Sequence, residues 1–264
     1  MNPTNEPTNP SNQPGAAQAA LPPNIPPLPE PLAANASSGA ILQVLLKRPV
    51  QLIADLQQTT AVRLPWVLGI FALLALAGYG LVVGSFSGGD QWWSAPVKVS
   101  LGALASAAIC LPSLFIFLSL SGADVSLRSI VGALCAALAL TALMLIGLVP
   151  VAWVFSQSSE SVAFIGALHV VFWLIALAFG LRLLGLLLDY LRIRERLHLK
   201  AWTVIFVFVS LQMTTALRPI VGTADHWLPK EKKFFAAYWI ENVFGTTTRS
   251  SETTPTQSTG ADRL

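Results

Sequence analysis

The stretch LQMTTALRPIVG (211–222) gathers polar side chains where an apolar run is ending. On a helix, Gln212 and Thr215 lie close together, Thr214 and Arg218 share a face four residues apart, and Pro219 follows at once. An amide, two hydroxyls and a guanidinium supply hydrogen bonds and one fixed positive charge. Inside a bilayer such hydroxyls bond back to helix carbonyls or across to a neighbouring helix, each contact contributing about 0.6 kcal/mol on average. Gln212, Thr214, Thr215, Arg218 and Pro219 therefore form a candidate interaction or structural cluster. Pinning of the helix that carries them is the simpler reading, and ligand recognition the sharper one.

Other chemistry is harder to find. There is no pair of intramembrane Asp residues, no Ser–His couple with an orienting third group, and no H-E-x-x-H. His169, His198 and His226 are scattered without ligand spacing. Cys110 and Cys135 lie within apolar runs, without a C-x-x-C pattern, and read as small buried hydrophobes. No catalytic, cofactor-binding or metal-ligating residue is assigned, no cofactor is expected, and the chain is read as a non-enzyme. A net charge of +3 is too small to suggest nucleic acid.

The elements that must position these residues are apolar. Charged residues make up 11% of the chain and apolar ones 54%, so lipid must cover what a soluble protein would cover with charge. Crossing ~30 Å of hydrocarbon takes about 20 apolar residues in a helix. Five stretches meet or approach that length: 65–86, 98–120, 129–155, 162–191 and 200–219. The expected fold is an all-α polytopic bundle of five transmembrane spans. Pro112 and Pro150 fall inside the second and third and are candidate helix kinks. PSLFIF (112–117) and PVAWVF (150–155) match in spacing, a faint echo of the inverted repetition found in transporters. The fourth stretch continues through Arg182 and Asp189 towards Arg196, and thirty helical residues would measure about 45 Å, so this helix is expected to tilt or project. The small residues of GYG (78–80), GALASAA (102–108) and GALCAAL (132–138) suit close helix packing.

Around this transmembrane domain (61–220) the composition changes. Residues 1–38 hold ten of the eighteen prolines, with Glu6 and Glu30 as the only charges, and are expected to form a disordered proline-rich arm. Residues 39–60 repeat Leu42, Leu45, Leu46, Val50, Ile53 and Leu56 at helical spacing opposite Lys47, Arg48, Gln51 and Asp55, with Pro49 breaking the run. That pattern predicts an amphipathic helix at the membrane surface, with Lys47 and Arg48 as candidate anchors near headgroups. Docking against the chain's own cytoplasmic loops is the alternative. Residues 221–245 carry Phe234, Phe235, Tyr238, Trp239 and Phe244 in a run too short to span, an exterior interfacial segment, and 246–264 are expected to be a disordered tail.

Orientation follows from Lys and Arg in short loops. One side holds Lys47, Arg48, Arg63, Arg128, Arg192, Arg194, Arg196 and Lys200; the other holds Lys98 before the tail adds Arg218, Lys230, Lys232 and Lys233. The N-terminus is thus expected in the cytoplasm and the C-terminus outside, where Asp90 and Glu160 become the acidic candidates for Arg218. Trp66, Trp92, Trp93 and Trp202 sit at span ends, as interfacial aromatics do.

ICLPSLFIF (109–117), SLRSIVGAL (126–134) and LQMTTALRPIVGTADHWLPKEKKFFAAYW (211–239) resemble a family of uncharacterised bacterial multi-pass membrane proteins. The resemblance implies a bacterial inner-membrane protein and no particular reaction. LLKRPVQLI (45–53), with the five-span layout, is similar to bacterial members of the Yip superfamily, although the Asp-Leu-Tyr-Gly-Pro signature of eukaryotic members is absent. The expected function is a non-enzymatic membrane scaffold or accessory subunit whose partners are the lipid bilayer and other membrane proteins or further copies of itself. The rival is permeation of a small solute or ion, with the polar residues of the fifth span and the two proline kinks lining the path.

Overall fold

A computed structural model of the chain describes residues 36–49, 51–57, 63–87, 91–122, 126–159, 161–189 and 196–216. Every regular element among them is an α-helix: α1 (Ser38–Lys47), α2 (Gln51–Gln57), α3 (Arg63–Ser87), α4 (Gln91–Leu120), α5 (Leu127–Ser158), α6 (Val162–Asp189) and α7 (Arg196–Ala216). Most of the proline-rich arm, the exterior aromatic segment and the tail lie outside the described residues, as do Arg218, Pro219 and the extension of the fourth span beyond Asp189.

Local chemistry explains several boundaries. Ser37, Ser126 and Ser161 stand just before α1, α5 and α6. Their hydroxyls accept from the backbone N–H of Ala40 (3.2 Å), Ser129 (3.1 Å) and Phe164 (3.3 Å), which satisfies donors that helix starts leave unpaired. Beyond α4, Gly122 takes a φ of +72°, and its N–H donates to Ser119 O at 3.1 Å. Pro49 falls in the gap between α1 and α2, where a residue without an N–H cannot continue the ladder.

Among the described residues, four helices are long and apolar enough to cross a membrane: Arg63–Phe86, Trp92–Leu120, Leu127–Ser158 and Phe164–Asp189. The fifth expected span falls on α7, a helix of 21 residues in which Leu197–Met213 is apolar over the described side chains. α4 begins at Gln91, seven residues before the stretch expected from hydropathy, and takes in Trp92, Trp93, Pro96 and Lys98.

The helices pack in the order α6–α5–α3–α4–α7. α3 is central and packs on both α4 and α5, α6 packs on α5, and α7 packs on α4; α4 with α5 and α6 with α7 meet only marginally. α1 and α2 fold over the end where α3, α5 and α7 begin, hereafter the basic end. Ile41, Leu45 and Leu52 belong to the same buried cluster as Leu68, Leu76, Leu145 and Leu184 of the long helices.

Candidate functional site

Three polar arrangements distinguish this bundle from a plain apolar one. The first joins α3 to α6. Tyr79 is 2% exposed, His169 is 8% exposed, and the phenol oxygen and His169 Nδ1 are hydrogen-bonded at 2.7 Å with the rings edge to face, centroids 5.6 Å apart. The tautomer decides which atom donates. A buried phenol without a partner would carry a desolvation cost, and here the imidazole meets that need. One turn along α6, the indole N–H of Trp173 is buried and finds no acceptor among the described residues. The sequence shows His169 only as an isolated histidine and gives no reason to pair it with Tyr79. The two partners are 90 residues apart, and nothing local in either stretch points to the other.

The second arrangement is the α4–α7 seam. Trp202 is fully buried, donates from Nε1 to Cys110 O at 3.0 Å, and stacks on Phe206 at 5.0 Å with the ring planes 13° apart. Cys110 O also accepts from Ser113 Oγ at 2.8 Å, in the turn that Pro112 interrupts. The missing Pro112 N–H frees the carbonyl of Ala108, four residues back, so Cys110 O takes the indole and hydroxyl donors as further partners rather than as a carbonyl the proline vacated. At the basic end of the seam, the His198 ring stacks on Phe117 (6.3 Å, 28°), and its Nδ1 lies 3.4 Å from Ser121 Oγ. Trp202 is therefore not an interfacial aromatic. Its ring faces α4 rather than headgroups, whereas Trp66 and Trp93 are 70% and 80% exposed at helix starts.

Of the polar cluster singled out in the sequence, Gln212, Thr214 and Thr215 sit at the other end of this seam. Gln212 is half-buried, and Thr214 and Thr215 occupy the last turn of α7. From the Trp202–Cys110 contact, Gln212 lies ten residues onward in α7 and Lys98 twelve residues back in antiparallel α4. At 1.5 Å per residue the two fall within about 3 Å of the same height. Lys98 is 5% exposed, so it is a buried residue of α4 and not the loop cation that the charge count made of it. Ser94 and Ser210 of the same two helices are also buried. Pro112 and Pro150 both lie inside unbroken helices, joined in α4 by Pro96, which hydropathy alone left outside the span.

The third arrangement is the basic end. Leu56 of α2 packs on α5 at Gly132, where a side chain would collide with it, and Ser129 Oγ donates to Leu56 O at 3.1 Å. With Ile41 and Leu45 turned into the core, α1 presents Leu46, Lys47 and Arg48 outward. The segment expected to lie free on the membrane surface is thus two helices seated on the bundle. Ile41, Leu45 and Leu52 of its apolar stripe are covered by protein within the chain, while Leu46 stays 53% exposed.

Among the described residues no group of three or more His, Cys, Asp or Glu side chains is placed to hold a metal ion, and Cys110 and Cys135 are free thiols. Among the described residues every regular element is helical, four helices are long and apolar enough to span a bilayer, and buried polar contacts tie α3 to α6 and α4 to α7. No protein-family model, curated protein or solved structure matches the chain.

Proposed function

We propose that this chain is a non-enzymatic integral membrane scaffold or accessory subunit. It crosses a bacterial cytoplasmic membrane five times, α7 included, with the basic end and N-terminus in the cytoplasm and the C-terminus outside. The observation that carries this reading is the row of helices. α6 and α7 close the row at its two ends, each packed on one main neighbour, and the opposite faces are apolar: Val171, Ile175 and Phe179 on α6, Val204 and Ile205 on α7. Such faces suit lipid or the helices of another membrane protein. Purification in mild detergent, with cross-linking before extraction, tests the proposal. A copurifying partner or a self-associated form is expected, and a lone monomer under both conditions defeats it. Labelling of Ser250→Cys from the outer face tests the orientation; reaction from the cytoplasmic face alone would overturn it.

Permeation is favoured by a different observation, the polar side chains Tyr79, Lys98 and His169 buried within apolar spans. Intramembrane polar groups often mark solute paths. Liposome flux abolished by Gln212→Leu or Thr215→Val would establish that reading over the scaffold.

A further inference from the structure

The lipid contact proposed for this chain has a place and a chemistry, and the orientation it needs rests on the scaffold reading. We infer that the corner where α1 ends, Leu46-Lys47-Arg48, is a fixed binding site for anionic phospholipid headgroups, the cations meeting phosphate and Leu46 entering the acyl boundary.

A lone basic pair on a surface is ordinary; this one is held. α1 is seated through Ile41 and Leu45, which are 5% and 1% exposed, and α2 through Leu52 at 0% and the Ser129-to-Leu56 hydrogen bond. Both arms are anchored, so the corner between them cannot fold away. The backbone of the corner is also committed. Arg48 N–H donates to Val44 O (2.8 Å), Gln51 N–H to Arg48 O (2.9 Å) and Leu52 N–H to Pro49 O (3.2 Å). What remains to meet a ligand is the side chains.

Those side chains have the composition of an interfacial anchor. On a helix, steps of 100° carry residues 46 and 47 away from the inward-facing Leu45. Leu46 is accordingly 53% exposed, and Lys47 and Arg48 are exposed beside it. The one acidic residue of α1 and α2, Asp55, is 6% exposed and is not displayed at this surface. Arg63 and Lys200 lie at the same end of the bundle, and exposed Trp66 marks the headgroup level on α3. A cation at an anionic leaflet contributes about fivefold in affinity, so two contribute roughly thirtyfold, and the effect fades within a Debye length.

The test uses the full chain in mild detergent, with phosphatidylglycerol and phosphatidylcholine titrated as probes and bound lipid counted by native mass spectrometry. Phosphatidylglycerol is expected to bind in preference to phosphatidylcholine. Lys47→Gln with Arg48→Gln should weaken it roughly thirtyfold, while the charge-preserving pair Lys47→Arg with Arg48→Lys restores it. Lys200→Gln, at the same end on α7, should leave most of the preference in place. Equal binding of the two lipids by the native chain overturns the inference. So does a Lys47/Arg48 double variant that binds phosphatidylglycerol as the native chain does, or a loss just as large in Lys200→Gln. Thermal unfolding of each variant in the same detergent separates a lost site from a lost fold. The scaffold reading fails on a different measurement, the lone monomer, so the two failures are distinguishable.

Discussion

α6 and α7 close the same row of helices, but they are attached by opposite means. α6 meets α5 through small residues. A Cβ on Gly180 would stand 2.6 Å from Ala137 O and would collide with Thr141, so the two backbones approach as closely as their atoms allow. α7 meets α4 through bulk: Trp202 and Phe206 stack as one apolar block, and the indole ties it to Cys110 O. Lipid tails are as apolar as leucine, so neither helix is held by the hydrophobic effect that folds a soluble core. The α5–α6 interface spreads many small dispersion contacts along its length, and the α4–α7 seam concentrates its attachment at one ring. The first should fail when an atom is added, and the second when atoms are removed.

Trp202→Ala is the largest expected break. Truncating a buried Trp in a soluble core costs ~3–5 kcal/mol, and α7 has no second main neighbour to hold it. The expected result is release of α7 while α3, α4, α5 and α6 stay associated. Limited proteolysis of the α6–α7 connection should accelerate, while Gly69→Cys, placed near Cys135, should still cross-link α3 to α5. Trp202→Phe should retain the stack and lose only the Nε1 bond, with a smaller effect. Equal protease resistance of Trp202→Ala and the native chain would remove the special role given to this ring.

Gly80→Ala comes next and tests the other mode. Its Cβ would stand 2.5 Å from Pro96 Cα, with the Pro96 nitrogen at 2.9 Å and Ala95 O at 3.0 Å, all backbone atoms that cannot turn aside. Overpacking of this kind typically costs ~1–3 kcal/mol. Gly180→Ala should behave alike at the α5–α6 contact, whereas Gly147→Ala, which meets nothing within 4 Å, should be nearly silent. Thermal unfolding in one detergent ranks the three. A Gly147 variant as damaged as the other two would show that close approach does not govern, since helix propensity alone favours Ala over Gly.

The same contrasts mark how much of the molecule is legible in its sequence. Four apolar helices, the Pro49 break and the close-packing role of Gly80 and Gly132 were legible, because each leaves a local mark of length, ring or missing side chain. Trp202 was not legible: a Trp at a span end looks the same whether it faces headgroups or a neighbouring helix. Lys98 looked like a loop cation because hydropathy dips at Trp92 through Pro96, whereas the α-helix runs on through that dip. The apolar face of α1 suggested a membrane surface, since an amphipathic stripe does not say what will cover it. Of the polar cluster, Gln212 was correctly picked as standing in α7, but its height opposite Lys98 depends on an α4–α7 register that the sequence does not contain.

Tyr79 and His169 give the smallest and most discriminating prediction, because their bond links α3 to α6, helices that otherwise share little contact. Interhelical hydrogen bonds in membranes average about 0.6 kcal/mol and reach ~1.7 kcal/mol at most. Tyr79→Phe removes the hydroxyl and leaves the ring to pack, and His169→Leu removes the imidazole and leaves a phenol buried without its partner. Tyr79→Phe strands His169 Nδ1 in the same way, so the second should cost more only through the packing that loss of the ring disturbs. A double-mutant cycle isolates their coupling, expected at about 0.5–1.7 kcal/mol because the two groups are in direct contact. If the bond is a structural pin, stability should fall in the single variants while liposome flux and partner capture stay unchanged. A change in flux with no loss of stability would shift the weight from scaffold to permeation, and would place the path between α3 and α6 rather than along α7.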